Sequence, residues 1–202
     1  MTGGASEDGR RLEIPEEIDK MTFFQRLRGH LRTVGAHRRL VRRYCFRIGL
    51  YRQGLTHDLS KYSLPEFTRG VKYYLGFRSP NDRERKETGV SMAWLHHKGR
   101  NRHHFEYWVD YRVDDDGSVI TGGCRMPIRY VAEMFCDRLA ASRTYLGDQF
   151  TDASPYEYFV RSKGHILIHP ETSAEIEEML RVLKDEGEDR AFAYVRRRLK
   201  EG

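Results

Sequence analysis

Apolar residues recur at helical spacing along the segment between Thr22 and about Leu50. The recurring positions are Leu27, Leu31, Val34, Val41, Cys45 and Ile48. Because residues three, four and seven apart share one side of an α-helix, this pattern predicts a long amphipathic helix with one buried face. A helix of this length restricts the fold, because its apolar face must be covered by other elements of the chain.

The rest of the sequence also favours helices. Ser63 to Glu66 has the composition of an N-cap followed by the first turn of a helix. Further helices are predicted over 50–57, 64–74, 82–98, 128–146 and 170–184, with a basic helix closing the chain. Strand signals are limited to 109–113 and 166–168. We therefore expect a mainly α protein, in which a flexible polar arm over 1–20 precedes one compact helical domain over 21–202 with few or no short strands.

Composition supports a globular protein with a locally basic surface. The chain carries 36 Lys plus Arg against 30 Asp plus Glu, for a net charge of +6. Between Met21 and Arg52 there are nine arginines and no acidic residue, so this stretch alone carries +9. No apolar run approaches the roughly 18 residues that a membrane span needs. Three cysteines without a Cys-x-x-Cys pair argue against a disulfide framework. We expect a cytoplasmic protein with no membrane contact.

The adjacent residues His57 and Asp58 form the nucleus of a predicted metal site. They follow a short helical run and precede Leu59, Ser60 and Lys61. An imidazole and a carboxylate at a helix terminus can both point at one divalent cation. By itself this pair is a weak motif.

Two further residues give the pair a known context. With His37 on the preceding helix and Asp137 on a later one, the order resembles the HD superfamily of metal-dependent phosphohydrolases. The resemblance implies an HD-like fold in which His37, His57, Asp58 and Asp137 bind metal. It also implies that Lys61 contacts a phosphate oxygen. His30 is the alternative to His37 as the first ligand.

Four histidines fall between the His-Asp pair and Asp137, namely His96, His97, His103 and His104. Two-metal members of the superfamily add histidines in this interval, so the chain has enough ligands for one or two ions. We favour His97 and His103 as ligands, with His96 and His104 as alternates. Mixed imidazole and carboxylate ligands suit Fe, Mn, Zn, Ni or Co better than Ca, and the sequence does not choose among them.

A closer resemblance is to a bacterial and phage family without an assigned activity. Its motifs are Gly-Leu…His-Asp-Leu-Ser-Lys, Leu-His-His…Asn…His-His and Ile-His-Pro-Glu-Thr. In this chain they occupy 54–61, 95–104 and 168–172, and the resemblance covers about 22–183. His169 within the last motif is expected to end a loop and begin a helix.

The leading functional hypothesis is a metal-dependent hydrolase acting on a small phosphorylated substrate, either a phosphoester or a nucleotide. Asp58 would handle a proton, while Lys61, Arg38 and Arg100 would bind the anionic substrate. The carboxylates of Glu66 and Glu133 could accept hydrogen bonds from ligand imidazoles, since Glu133 lies one helical turn before Asp137.

Two alternatives remain open. In the first, the arginine-rich helix binds nucleic acid or another partner, and the histidines are structural. In the second, a two-iron site of this ligand type activates O₂ in an oxygenase-like reaction.

Overall fold

A computed structural model describes residues 20–113 and 116–202. The described residues are mainly α-helical, which confirms the predicted fold class. The expected N-terminal arm lies outside the described residues except for Lys20. Within the described ranges the helices are α1 Phe23–Arg47, α2 Tyr51–Thr56, α3 Leu64–Lys72, α4 Pro80–Thr88, α5 Met92–Lys98, α6 Ile128–Leu146, α7 Ser154–Lys163, α8 Pro170–Glu186 and α9 Glu188–Glu201. Strands β1 Val109–Val113 and β2 Val119–Gly123 pair antiparallel. Short 3₁₀ segments are Leu59–Tyr62, Phe105–Trp108 and Gly147–Gln149.

The chain divides into two compact units. In the described residues, the first unit contains 20–36 and 58–97, and the second contains 37–57 and 98–202. The single domain expected over 21–202 stays a prediction, since helix α1 contributes residues to both units. Among the helices of the described ranges, none is both long and apolar enough to cross a bilayer.

Helix α1 confirms most of the amphipathic pattern, but the predicted apolar position Leu31 is 43% exposed. Val34, Val41, Tyr44 and Ile48 are all buried, at the spacing that one face of an α-helix requires. The helix ends at Arg47, and Gly49 then adopts a φ of +83°, a conformation that glycine reaches without steric cost. The chain thereby turns directly into α2.

The core of the second unit surrounds α6. Phe135, Leu139 and Ala140 of this helix have no exposed surface. They belong to one apolar cluster with residues of α7, α8 and α9, including Phe159, Leu183 and Phe192. Because α6 is buried along most of its length, its polar side chains are held in a rigid, largely water-free environment.

The first unit contains buried apolar residues, including Val71, Leu75 and Ala93, and a buried carboxylate. Glu84 is 1% exposed; its oxygens accept hydrogen bonds from Arg69 at 2.5 Å and from the Ser91 hydroxyl at 2.6 Å. A Cβ at Gly70 would lie 2.3 Å from the His30 ring, so a side chain at this position would displace the imidazole.

Several local predictions were wrong. The helix expected over 82–98 is two helices, because Gly89 ends α4 in the left-handed conformation and Ser91 begins α5 by accepting a hydrogen bond from Trp94. Residues 166–168 do not form a strand. The partner of β1 is instead β2, which the sequence reading missed along with α7. The C-terminal end of β2 contacts 168–169 so closely that a Cβ on Gly123 would clash with that backbone.

Candidate metal centre

Four elements of the second unit bring three histidines and two carboxylates together. Glu133 and Asp137 lie one turn apart on α6, and His37 lies on α1. His57 directly follows α2, and His103 precedes the 3₁₀ segment Phe105–Trp108. We call these five residues the Glu133 cluster.

Glu133 contacts two imidazoles through one carboxylate oxygen. Its Oε1 lies 3.0 Å from Nδ1 of His57 and 3.2 Å from Nδ1 of His103. Burial alone would raise the pKa of Glu133, but hydrogen bonds from His103 and His57 outweigh it and lower this pKa. An ionised carboxylate can only accept hydrogen bonds, so both Nδ1 atoms carry the proton. In the neutral form of each ring, Nε2 is then the atom that offers an electron pair.

Asp137 contacts the opposite nitrogen of His57 and also contacts His37. Its Oδ1 lies 3.0 Å from Nε2 of His37 and 3.5 Å from Nε2 of His57. Although burial opposes ionisation, the contacts with His37 and His57 hold the pKa of Asp137 well below its usual range. When His57 is neutral, its Nε2 electron pair therefore faces an anionic oxygen. This arrangement is repulsive unless a proton or a metal ion lies between the two atoms.

Among the described residues, the ion-pair partners of Glu133 and Asp137 are imidazoles, and no lysine or arginine nitrogen lies within 4.0 Å of either carboxylate. Ligand atoms of His57, His103 and Glu133 lie within 4.8 Å of one another, and so do those of His37, His57 and Asp137. The cluster could therefore hold a metal ion. Three imidazoles with carboxylates suit a divalent transition metal better than calcium or magnesium.

The position of His57 is fixed by the backbone around it. Arg38 donates from Nε to the His57 carbonyl at 2.8 Å and from a terminal nitrogen to the Leu55 carbonyl at 3.2 Å. These bonds satisfy carbonyls at the C-terminal end of α2. Its guanidinium thus helps to orient a candidate ligand, while its predicted role in substrate binding stays a prediction.

A second group of charged residues lies in the first unit. Glu66 accepts hydrogen bonds from Nδ1 of His96 at 2.6 Å and from Nδ1 of His97 at 2.7 Å. Asp58 lies 2.8 Å from the Lys61 ammonium and 3.3 Å from Nε2 of His97. We call these five residues the Glu66 cluster.

The Glu66 cluster supplies its own positive charge. Burial would lower the pKa of His97, but the Asp58 and Glu66 carboxylates outweigh this effect and raise it. The pKa of Glu66 is lowered, because hydrogen bonds from His97 and His96 overcome its burial. Asp58 also adopts a φ of +53°, and it is the one non-glycine residue with positive φ in 20–113 and 116–202. Such strained positions are frequent at functional sites.

The remaining predicted site residues occupy different surroundings. His104 is partly buried, with its ring 4.2 Å from that of His103. Arg100 is exposed in the turn after α5. His30 is buried in the first unit, where its ring lies edge-on to Phe67 at 5.6 Å. His169 caps α8 by accepting a hydrogen bond from the Glu171 amide, which confirms the expected transition from loop to helix.

Sequence reasoning overlooked Ser60 as a site residue. Its hydroxyl lies 3.2 Å from Nδ1 of His97 in the Glu66 cluster. The available signal was its position two residues after Asp58 in the same motif. A serine there has many structural roles, however, and only the folded first unit shows its contact.

The fold and the buried cluster define a mainly α-helical protein with a candidate metal centre. The chain belongs to the Family of unknown function (DUF5662), whose model matches residues 26–182. This match confirms the resemblance to a family without an assigned activity, and it includes every residue of both clusters. No curated protein and no solved structure shows significant similarity to the chain.

Proposed function

We propose that this protein is a metal-dependent hydrolase of phosphoesters, with its ion bound at the Glu133 cluster. The observation that carries the proposal is the pair of hydrogen bonds by which Glu133 orients His57 and His103 through their Nδ1 atoms. A carboxylate that fixes the tautomer of a metal-binding histidine in this way is a common feature of metal sites. Here one carboxylate would serve two ligands.

The donor set fits a divalent transition ion such as Fe, Mn, Zn, Ni or Co. His37, His57, His103 and Asp137 would hold it, and Glu133 would keep His57 and His103 in orientation. A bound ion of this kind lowers the pKa of a coordinated water and polarises a phosphoryl oxygen. Burial of the cluster strengthens every charge interaction in it, since water does not screen the carboxylates.

The choice of a phosphoester as substrate rests on the motif order that resembles the HD superfamily. Lys61 and Asp58 are the proposed catalytic residues. The Lys61 side chain is 30% exposed and its ammonium contacts Asp58, so it could bind a phosphate oxygen while Asp58 keeps it in place. Asp58 and His97 stay predicted metal ligands, and a second ion is part of the same hypothesis.

Elemental analysis of the purified full chain tests the metal site. We expect one or two transition metal ions per chain; His57→Ala should lose the ion of the Glu133 cluster, and His165→Ala should retain it. The control removes an exposed histidine that belongs to neither cluster. A chain that neither carries nor rebinds transition metal after chelation would overturn the site. Equal metal content in wild type and His57→Ala would do the same.

A second assay separates hydrolysis from metal binding. The metal-loaded protein is incubated with a panel of phosphomonoesters, phosphodiesters and nucleotides, and released phosphate or nucleoside is measured. We expect turnover that depends on metal and falls at least about 100-fold in Lys61→Met, because a positioned charge on the transferring group contributes this much. Full metal occupancy without turnover of any substrate would reject the hydrolase and leave the metal site standing.

A further inference from the structure

A strongly basic surface of the second unit takes no part in the proposed site. It consists of exposed side chains on the C-terminal half of α1 and on α2, namely Arg39, Arg42, Arg43, Phe46, Tyr51 and Arg52. We call it the basic-aromatic face. The first four residues are spaced by three, four and seven positions, so they share one side of α1.

This face points away from the metal ligand on the same helix. His37 and Phe46 are nine residues apart, which places them about 180° apart around α1. The arginines on this face are therefore not substrate-binding groups of the Glu133 cluster within this unit. Their role requires another explanation.

The arginines of the basic-aromatic face have no acidic partner in the part of the chain that the structure describes. Among the described residues, no carboxylate oxygen lies within 4.0 Å of Arg39, Arg42, Arg43 or Arg52. Arg47, only four residues beyond Arg43, contrasts with them, because it pairs with Glu188 and Asp189. Arg47 is thus neutralised by its ion pairs, whereas the four arginines of the basic-aromatic face leave four positive charges together on the surface.

Two aromatic rings lie among these charges. The Phe46 and Tyr51 rings are 5.2 Å apart at 69°, and Tyr51 is 61% exposed. A membrane-binding surface would need a continuous apolar face flanked by charge. Here one pair of exposed rings lies among guanidinium groups, which suits phosphates and an unstacked base.

We propose that the basic-aromatic face binds single-stranded nucleic acid, with arginines contacting phosphates and Tyr51 stacking on a base. Arginine is well matched to this task, because its planar guanidinium binds phosphate through two parallel hydrogen bonds. This binding is independent of the proposed hydrolase reaction and would persist if that reaction were disproved.

Fluorescence anisotropy of the full chain with labelled 20-nucleotide poly(dT) and poly(U) tests the proposal. The triple variant Arg39→Gln, Arg42→Gln, Arg43→Gln should weaken binding at least about 30-fold near 0.1 M salt. Loss of three phosphate contacts should also make the slope of log K against log salt less negative by about 2. Glutamine has a helix propensity close to that of arginine, so α1 should be retained.

A matched control removes the same charge elsewhere in the second unit. Arg161→Gln, Arg190→Gln, Arg196→Gln changes three exposed arginines and should alter binding by less than about threefold. Tyr51→Leu keeps an apolar side chain but removes the ring, so an approximately tenfold loss with an unchanged salt slope identifies stacking. Metal content should stay at the wild-type value in all three variants.

Three results would overturn the proposal. The first is absence of binding by the wild type at low salt. The second is an equal loss in the two triple variants, which would mean a response to net charge alone. The third is Arg39-, Arg42- and Arg43-dependent association with phosphatidylserine vesicles but not with either oligonucleotide, which would assign the face to a membrane surface.

Discussion

The Glu133 and Glu66 clusters share one hydrogen-bonding arrangement but differ in the charged groups that face their second carboxylate. In each, one carboxylate accepts hydrogen bonds from the Nδ1 atoms of two histidines. In the Glu66 cluster a second carboxylate, Asp58, contacts an ammonium and an imidazole whose pKa is raised. In the Glu133 cluster the second carboxylate, Asp137, contacts imidazoles.

This difference separates two ways of stabilising buried carboxylates. The first unit balances them with the Lys61 ammonium and with His97, whose pKa is raised, whereas in the second unit the same balance would require protonated histidines or an added cation. Buried charge without compensation is costly, so the second arrangement is the one that would gain most from a bound metal ion. Substitutions in one cluster that leave the other unchanged test whether the two differ in this way.

The largest expected effect is stabilisation by metal. With free ion at about 1,000 times its dissociation constant, the free energy of unfolding should rise by about 4 kcal/mol relative to chelated protein. Chemical denaturation with and without chelator measures this difference. His57→Ala should abolish it and His96→Ala should retain it, since only His57 belongs to the Glu133 cluster. If both substitutions remove the increment, the two clusters do not differ in the way their charges indicate.

Asp58→Asn should give the next largest change in the free energy of unfolding, and this change should be seen in the absence of metal. Removing the carboxylate takes away the anionic partner that lies 2.8 Å from the Lys61 ammonium and 3.3 Å from Nε2 of His97, at a cost of about 3 kcal/mol in chelated protein. Asparagine tolerates the left-handed backbone that Asp58 adopts, so the variant isolates the charge.

The control for this substitution is Asp82→Asn, which breaks an exposed pair with Arg85. It should change the free energy of unfolding by less than about 0.5 kcal/mol. Denaturation midpoints for the two variants decide between the interpretations. An equally small effect at Asp58 would show that this carboxylate does not neutralise the first unit.

Glu133→Gln should weaken metal binding without abolishing it. The substitution retains a polar side chain of similar size, but its uncharged amide is a weaker acceptor for the Nδ1 hydrogens of His57 and His103. The two imidazoles are therefore held less firmly. The loss in affinity should be about 10- to 100-fold, equivalent to roughly 1.4 to 2.7 kcal/mol. Competition against a metal-sensitive dye measures the constant. Glu66→Gln is the matched control, and equal losses in both variants would contradict an ion confined to the Glu133 cluster.

Sequence periodicity was sufficient for the long helices and for one feature of the site. Helices α1, α6 and α8 lie close to their predicted limits, because their apolar positions repeat at helical spacing over many turns. The spacing of four residues between Glu133 and Asp137 also showed that these carboxylates share a face. The motifs containing His57 and His103 identified the region that supplies the imidazoles.

Tertiary contacts decided the remainder. Val119 to Gly123 contains two glycines and gives little strand signal, and it becomes β2 by pairing with β1. Which nitrogen of His57 faces Glu133 depends on where α6 lies, which no local pattern encodes. The capping of α2 by Arg38 could not be predicted from the sequence either, since an arginine beside a predicted ligand is equally compatible with phosphate binding.

His30 provides the smallest predicted effect and a third environment for a buried histidine. No carboxylate lies within ion-pair distance of it among the described residues, and burial together with nearby Lys61 lowers its pKa from 6.5 to about 4. Between these values the unfolded chain binds a proton that the folded chain does not, so stability contributed by neutral His30 is lost as pH falls.

The raised pKa of His97 acts in the opposite direction and only above 6.5, whereas carboxylates titrate mainly below 5. From pH 6.5 to 5 the free energy of unfolding should therefore fall by about 1.5 kcal/mol more in wild type than in His30→Gln. Urea denaturation of both proteins across this interval measures the difference, and parallel curves would mean that His30 is protonated as readily in the folded chain as in the unfolded one.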